Sequence, residues 1–203
     1  SKPKPFTGTK MILKNYYWCF SKAVPPETCK KIIKTGKKSI LKKGTVGAKG
    51  KPGDVRKSKV TFLNDNDLFN LVGNFVTESN KNAKWDFQWD WIEPIQFTSY
   101  NKKEYYGWHA DGFPEPMKKK DINFNGKIRK LSFILQLTDP KKYTGGELRF
   151  SLPGVKKNIS KPKIFLPQGS VIVFPSFIQH EVTPVKTGNR YSLVSWCIGQ
   201  PWR

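Results

Sequence analysis

Gly107-Trp108-His109-Ala110-Asp111-Gly112 sets a histidine and a carboxylate two residues apart. On an extended segment positions i and i+2 share a face, so both side chains point to one side of a sheet. The chain has two histidines in all. The second, His180, lies in Phe174-Pro175-Ser176-Phe177-Ile178-Gln179-His180-Glu181-Val182, at the start of another strand-like run. Two imidazoles and one carboxylate are the donor set of a facial triad. Three ligands take one face of an octahedral ion, and the opposite face stays open for substrate and O2. These donors suit Fe(II). Cys19, Cys29 and Cys197 form no CxxC pair, which argues against a structural zinc site. A lone His-x-Asp is short and common, and by itself reads as a surface or satisfied core histidine. Its company changes that reading. Arg190 and Ser192, in Gly188-Asn189-Arg190-Tyr191-Ser192, share one face of the next strand. A guanidinium fork beside a hydroxyl suits a buried small-molecule carboxylate.

Outward from these motifs, Ile92–Tyr100, Leu131–Thr138, Glu147–Leu152, Ser170–Pro175, His180–Pro184 and Arg190–Ile198 are short β-branched or aromatic runs. Gly, Pro, Asn and Asp punctuate them, which predicts strands. Gly145-Gly146 predicts a tight turn with positive φ, and Gly169-Ser170 a turn before the Val171–Phe174 core strand. Upstream, Ser1–Lys10 reads as an arm and Met11–Phe20 as a strand. A helix starts at Pro25-Pro26-Glu27, with Cys29, Ile32 and Ile33 on one face. Lys42–Lys59, rich in Gly and Lys, reads as a mobile loop. Asn64/Asp65 cap a second helix that buries Leu68, Phe69, Leu71, Val72, Phe75 and Val76. Two helices followed by many antiparallel strands predict an α+β fold. Its form is a double-stranded β-helix (jelly-roll) barrel braced by N-terminal helices. One domain covers 1–203, with helical and loop support in 1–84 and the jelly-roll core in 85–203. Trp196, Tyr106 and Trp108 read as packing residues, with a place on the wall of the site or its channel as the alternative.

The chain has 203 residues, 37% of them hydrophobic and 14% aromatic, enough to build a core. No apolar run reaches the ~18–20 residues of a membrane span, and residues 1–20 carry no signal-peptide stretch. With an odd number of unclustered cysteines, this predicts a cytoplasmic protein, taken as a monomer. The net charge of +22 invites a polyanion. Only five basic residues are Arg, however, and the lysines are spread almost evenly. Sequence-reading nucleic-acid proteins favour the bidentate Arg fork. The lysines therefore imply weak, non-specific polyanion attraction rather than a binding stripe.

The text from Ile95 to Gly199 resembles the prolyl-4-hydroxylase-like 2-oxoglutarate/Fe(II) dioxygenases, within them the short hydroxylases of bacteria and phages. The resemblance rests on Gln96-Phe97-Thr98-Ser99-Tyr100, Tyr106-Gly107-Trp108-His109-Ala110-Asp111 and Arg129-Lys130-Leu131-Ser132-Phe133-Ile134-Leu135-Gln136-Leu137. It continues through Tyr143-Thr144-Gly145-Gly146-Glu147-Leu148, Gly169–Phe177 and Arg190-Tyr191-Ser192-Leu193-Val194-Ser195-Trp196. Arg56-Lys57-Ser58-Lys59-Val60 is similar to the family's N-terminal half. The resemblance implies Fe(II) held by His109, Asp111 and His180, and 2-oxoglutarate with its far carboxylate on Arg190. Tyr100, Gln136 and Ser192 are implied as helpers of that cosubstrate, although a Gln at 136 departs from the better-known animal pattern. The implied activity is hydroxylation of peptidyl proline or another protein side chain. It consumes O2, releases succinate and CO2, and is supported by ascorbate. Two substrate alternatives stay open, a free amino acid or small metabolite and a nucleic acid undergoing oxidative demethylation. Against the last, no second Arg follows Arg190 until Arg203. A non-catalytic module on the same barrel is disfavoured by the intact triad and Arg190. In the family, segments corresponding to Lys42–Lys59 and Pro114–Lys127 fold over the substrate, which makes them expected lids.

Overall fold

The computed structural model describes residues 13–39, 42–44, 55–112, 115–154 and 159–202. In chain order the first elements are β1 (Trp18–Phe20), α1 (Pro26–Lys38), β2 (Lys42–Lys43), β3 (Arg56–Lys57), β4 (Lys59–Leu63) and α2 (Asn66–Asn82). Next come β5 (Trp91–Ile92), β6 (Ile95–Tyr100), β7 (Tyr105–His109), β8 (Ile128–Gln136), β9 (Tyr143–Gly145) and β10 (Leu148–Ser151). Last are β11 (Ile159–Ser160), β12 (Val171–Pro175), β13 (His180–Val182), β14 (Val185–Gly188) and β15 (Arg190–Gly199). Among the described residues one large sheet has the order β1-β12-β8-β15-β6-β4-β2, with β5 beside β15. A second has the order β11-β10-β13-β7-β3, and β14 pairs with β9. Every pairing is antiparallel.

Alternation along the central strands assigns the two faces of the large sheet. Phe133 and Leu135 of β8, Leu193 of β15 and Phe97 of β6 join one buried cluster with Cys29 and Ile32 of α1 and Val72 and Val76 of α2. Ile134, between them in sequence, turns the other way. It meets Tyr100, Phe150, Ile172, Phe174 and Val182 in a second cluster shared by the two sheets. Strands covered on both faces are buried along nearly their whole length, as β8 and β12 are. The helices start where their caps predict. Pro26 opens α1, and Asp65 Oδ1 accepts from the Asp67 and Leu68 amides at 2.9 and 3.2 Å to open α2.

Several boundaries differ from the sequence reading. The expected Met11–Phe20 strand is three residues long in its described part. The Ile92–Tyr100 run is split at Glu93-Pro94, where proline has no amide to continue the ladder. The first 84 residues are more than helices and loops, since β1–β4 add strands to both sheets. The Lys42–Lys59 loop is bounded by paired strands at both ends. Its centre, 45–54, lies outside the described residues, as does the Ser1–Lys10 arm. Strands β9 and β14 were not anticipated.

The two expected turns are present, with φ of 73° and 60° at Gly145 and Gly146 and 79° at Gly169. At Gly169 the backbone also passes too close to a neighbour for a side chain. A Cβ there would run into the Val24 carbonyl oxygen, while the Val24 amide donates to Gly169 O at 3.0 Å. Gly169→Ala therefore combines a disfavoured φ with a backbone clash, and is expected to cost about 2–4 kcal/mol. Denaturant unfolding measures it, and a loss below ~1 kcal/mol would mean that the α1 approach yields easily.

Candidate metal centre

Strands β7 and β13 are neighbours, and His180 lies directly opposite His109 in their register. The two imidazole centroids are 4.1 Å apart. Each ring is oriented by its own strand. His109 Nδ1 lies 2.7 Å from Gly107 O, and His180 Nδ1 lies 3.0 Å from Ile178 O. A carbonyl oxygen only accepts, so Nδ1 carries the proton and Nε2 is left with its lone pair. Both Nε2 atoms face the Asp111 carboxylate, at 3.6 Å from Oδ1 for His109 and from Oδ2 for His180. Those distances are too long for hydrogen bonds. Three electron-rich donors thus converge within 4.8 Å of one another, an arrangement that suits a cation between them.

Asp111 reaches this point differently from the sequence expectation. It lies beyond the end of β7, in a bend, rather than on the same strand face as His109. The bend is fixed by the Gly112 amide donating to Ser176 O at 2.7 Å, and the carboxylate by Ser132 Oγ at 2.8 Å from Oδ2. Burial alone would push the Asp111 carboxyl upward, but His180, His109 and Arg129 outweigh it and hold the group well below the usual carboxylate range. Burial pushes His180 down to about 4, with His109 adding to the effect and Asp111 opposing it.

The His180 value has a consequence for stability. Between about pH 4 and 6.5 an unfolded His180 binds a proton that the folded one refuses, so metal-free stability rises with pH across that window. The contribution is complete above about pH 6.5 and is lost as pH falls toward 4, at up to ~1.4 kcal/mol per pH unit. Thermal melts of the metal-free protein should show this slope, and His180→Ala should flatten it. An equal slope in that variant would assign the proton uptake elsewhere.

A second group of expected residues adjoins the triad. Arg190 is 1% exposed and lies opposite Tyr100 on β6, while Ser192 lies opposite Thr98 and Gln136. Arg190 Nη2 donates to Gln136 Oε1 at 2.7 Å; its Nε and Nη1 have no hydrogen-bond partner among the described residues. Two buried, charged donors without acceptors are costly, and a ligand carboxylate on the guanidinium would relieve that cost. The Arg190 guanidinium carbon is 5.4 Å from the centre of the Tyr100 ring. Burial raises the Tyr100 phenol, so it is an O–H donor at neutral pH.

His109, Asp111, His180, Arg190, Tyr100 and Ser192 line one cavity, whereas Gln136 stands behind Arg190 and is not on its wall. The free space in it is about 30 Å3, smaller than a five-carbon dicarboxylate. Arg56, Gln96, Tyr106 and Trp196 also line it; sequence reasoning gave Arg56 and Gln96 no site role and preferred packing to a wall role for Tyr106 and Trp196. Tyr106 stacks on His109 with centroids 3.4 Å apart and planes 10° apart, and Arg56 lies 4.6 Å over the Tyr106 ring. Trp196 carries Arg129 at 3.7 Å over its ring, and Arg129 is clamped by Glu93 at 2.6 and 2.8 Å. A signal for two of them was present in the sequence. Trp196 continues the two-residue period of Arg190, Ser192 and Val194, as Gln96 does that of Tyr100 and Thr98. The expected 114–127 lid, described from 115 on, is closed on itself by Met117 N to Lys127 O and Gly126 N to Met117 O. Lys127 pins it to Asp90 at 2.6 Å, and none of 115–127 lines the cavity.

Residues 95–198, just over half of the chain, match the 2OG-Fe(II) oxygenase superfamily profile. A PKHD-type hydroxylase of Prochlorococcus marinus is 30% identical over 142 residues, 70% of this chain and 55% of that protein. The PKHD-type hydroxylase YbiX of Escherichia coli O1:K1 / APEC is 36% identical over 101 residues, 49% of this chain and 40% of its own length. The chain thus spans about half or less of the curated relatives it matches. A crystal structure of a Pseudomonas putida prolyl-4-hydroxylase superposes with a TM-score of 0.68 at 15% identity, covering 93% of this chain and 95% of that one. A viral collagen prolyl hydroxylase from Paramecium Bursaria Chlorella virus-1, in its 2OG complex, gives 0.64 at 20% identity, covering 92% and 97%. The fold is shared with both.

Proposed function

The chain belongs to the 2OG-Fe(II) oxygenase superfamily, and on that premise we propose that it hydroxylates peptidyl proline or another protein side chain. The observation that carries the reading is one cavity holding three convergent metal donors and, beside them, a buried guanidinium with two donors to spare. His109, Asp111 and His180 hold Fe(II). Arg190 takes the far carboxylate of 2-oxoglutarate, with the Tyr100 and Ser192 hydroxyls beside it and Gln136 holding the guanidinium in place. Bound there, metal and cosubstrate supply the O2 chemistry that side chains lack: substrate C–H, O2 and 2-oxoglutarate become C–OH, succinate and CO2.

The chain's own residues orient and exclude water. Nδ1–H bonds to Gly107 O and Ile178 O keep both Nε2 lone pairs on the metal side. Tyr106 and Trp196 wall the cavity with aromatic surface and keep bulk water from the reacting centre. In this reading 1–203 is one catalytic domain, its two sheets closing as a jelly-roll braced by α1 and α2, and ascorbate is the supporting reductant. The three unpaired cysteines fit a monomer working in a reducing cytoplasm. No helix among the described residues is long and apolar enough to cross a membrane.

The peptide substrate is favoured by the prolyl hydroxylases among the structural neighbours, one of them solved with a peptide fragment of hypoxia inducible factor. The charge of +22 favours the second reading, oxidative demethylation of nucleic acid. A free amino acid or small metabolite is the third. Anaerobic loading with Fe(II) and 2-oxoglutarate, then succinate release on admitting air, separates them when scored against proline peptides, methylated oligonucleotides and free amino acids. Proline peptides are expected to couple best, with little dependence on salt, because scattered exposed lysines act through a field screened within ~8 Å at physiological ionic strength. Replacing the exposed Lys118, Lys119 and Lys120 together with Gln should change that rate less than about threefold. A steep salt dependence with stronger coupling to the oligonucleotide would select the second reading.

A further inference from the structure

Two serine hydroxyls lie behind the metal centre, and both are wholly buried. Ser132, on β8, stands in register between Phe174 of β12 and Trp196 of β15. Its Oγ is 2.8 Å from Asp111 Oδ2 and 2.9 Å from Ser176 Oγ. Ser176 follows β12 directly, with its amide on Lys130 O at 3.0 Å and its carbonyl accepting the Gly112 amide at 2.7 Å. Neither hydroxyl bonds to main chain among the described residues, which is where a buried serine ordinarily spends its proton. Here both are spent in line toward one carboxylate.

The donor order follows from chemistry. An ionised carboxylate only accepts, so the Ser132 proton goes to Asp111 Oδ2. Having given its one proton, Ser132 can only accept from Ser176. The chain therefore runs Ser176 O–H to Ser132 O–H to Asp111 Oδ2, with Ser132 on a central strand of the large sheet and Ser176 in the turn directly after β12. We propose that Ser132, oriented by Ser176, is the positioning residue of Asp111: it engages Oδ2, stops rotation of the carboxylate and presents Oδ1 to the metal. Asp111 needs such a device because it sits in a bend past the end of β7, where no strand ladder holds its side chain in line with His109 and His180. This rests on the reading of His109, Asp111 and His180 as metal ligands.

Co(II) titration of the metal-free protein, followed by ligand-field absorbance and run beside thermal melts, tests it without turnover. Partners behind a ligand are typically worth 10–100-fold in metal affinity. Ser132→Ala, which removes a single oxygen, is expected to weaken Co(II) by ~10–100-fold while the protein is still folded at the titration temperature. Ser176→Ala should fall between Ser132→Ala and wild type, because Ser132 keeps its bond to Asp111. Ser132→Thr, which retains the hydroxyl, should return affinity toward wild type. Co(II) affinity in Ser132→Ala within twofold of wild type, whatever happens to its melting point, would overturn the proposal and leave the serines a packing role. Asp111→Ala binding Co(II) as tightly as wild type would instead overturn the metal-centre reading beneath it.

Discussion

Alanine at His109, Asp111 or His180 is expected to abolish turnover and to weaken Fe(II) binding by more than ~100-fold, beyond the 10–100-fold that loss of an outer partner typically costs. Each side chain supplies one of three donors, and nothing in the cavity replaces it. The other wall residues are Tyr, Trp, Ser, Gln and Arg together with aliphatic side chains. The two guanidinium groups among them, Arg56 and Arg190, repel a cation. The three variants should differ in their effect on the fold. His180 is packed between Phe150 and Phe174, at centroid distances of 6.1 and 4.7 Å, so its truncation opens a void in the cluster that joins the sheets. Asp111→Ala leaves the Ser132 hydroxyl without its acceptor but removes a carboxylate buried among other donors. His109 is held by stacking on Tyr106, and its loss should be the mildest structurally. Anaerobic calorimetry with Fe(II) measures the affinities, and circular dichroism checks folding. Affinity in His180→Ala near that of wild type would remove the triad.

The parts legible in sequence were those written in a two-residue period over five or more residues. The alternation of Phe133 and Leu135 with Ile134, and of Arg190 and Ser192 with Leu193, is long enough to assign faces, and those faces place the cavity. Strands of two residues carry no period, so β2, β3 and β11 were not visible. Arg56 was hidden for that reason. It lies on a two-residue edge strand beside a Gly- and Lys-rich stretch, and only pairing with Tyr105 and Tyr106 carries it to the cavity wall. Asp111 was identified by its spacing but for an incomplete reason. Spacing alone does not bring the three candidate donors together: the bend after β7, pinned by Ser176 sixty-five residues on, does so. Gln136 was named through the family resemblance as a helper of the cosubstrate. Its bond to Arg190 depends on two strands in register, which no local pattern encodes.

That bond matters for the second large effect. Arg190→Ala is expected to raise the 2-oxoglutarate requirement by about 100-fold, near 2.8 kcal/mol at ~1.4 kcal/mol per decade, while Fe(II) affinity stays within about twofold. The size is that of one or two charge-assisted hydrogen bonds lost from a buried carboxylate. The neutral Gln136 amide is important to this. It fixes Nη2 without neutralising the guanidinium, so the full positive charge and the N–H bonds of Nε and Nη1 remain for a ligand. Arg190→Lys keeps a charge but offers a compact ammonium that cannot hold Gln136 and both carboxylate oxygens in the same planar fork. Its requirement should fall between Ala and wild type. Gln136→Glu supplies an anion 2.7 Å from the guanidinium in place of the amide oxygen, and should weaken 2-oxoglutarate although Arg190 is still held. Binding of 2-oxoglutarate to the Co(II)-loaded protein, measured by calorimetry, reports all three without turnover. If Arg190→Ala bound the cosubstrate as tightly as wild type, its carboxylate partner would have to be the other guanidinium on the cavity wall, Arg56. The cosubstrate would then lie on the side of His109 where Tyr106 stacks, rather than beside Tyr100 and Ser192.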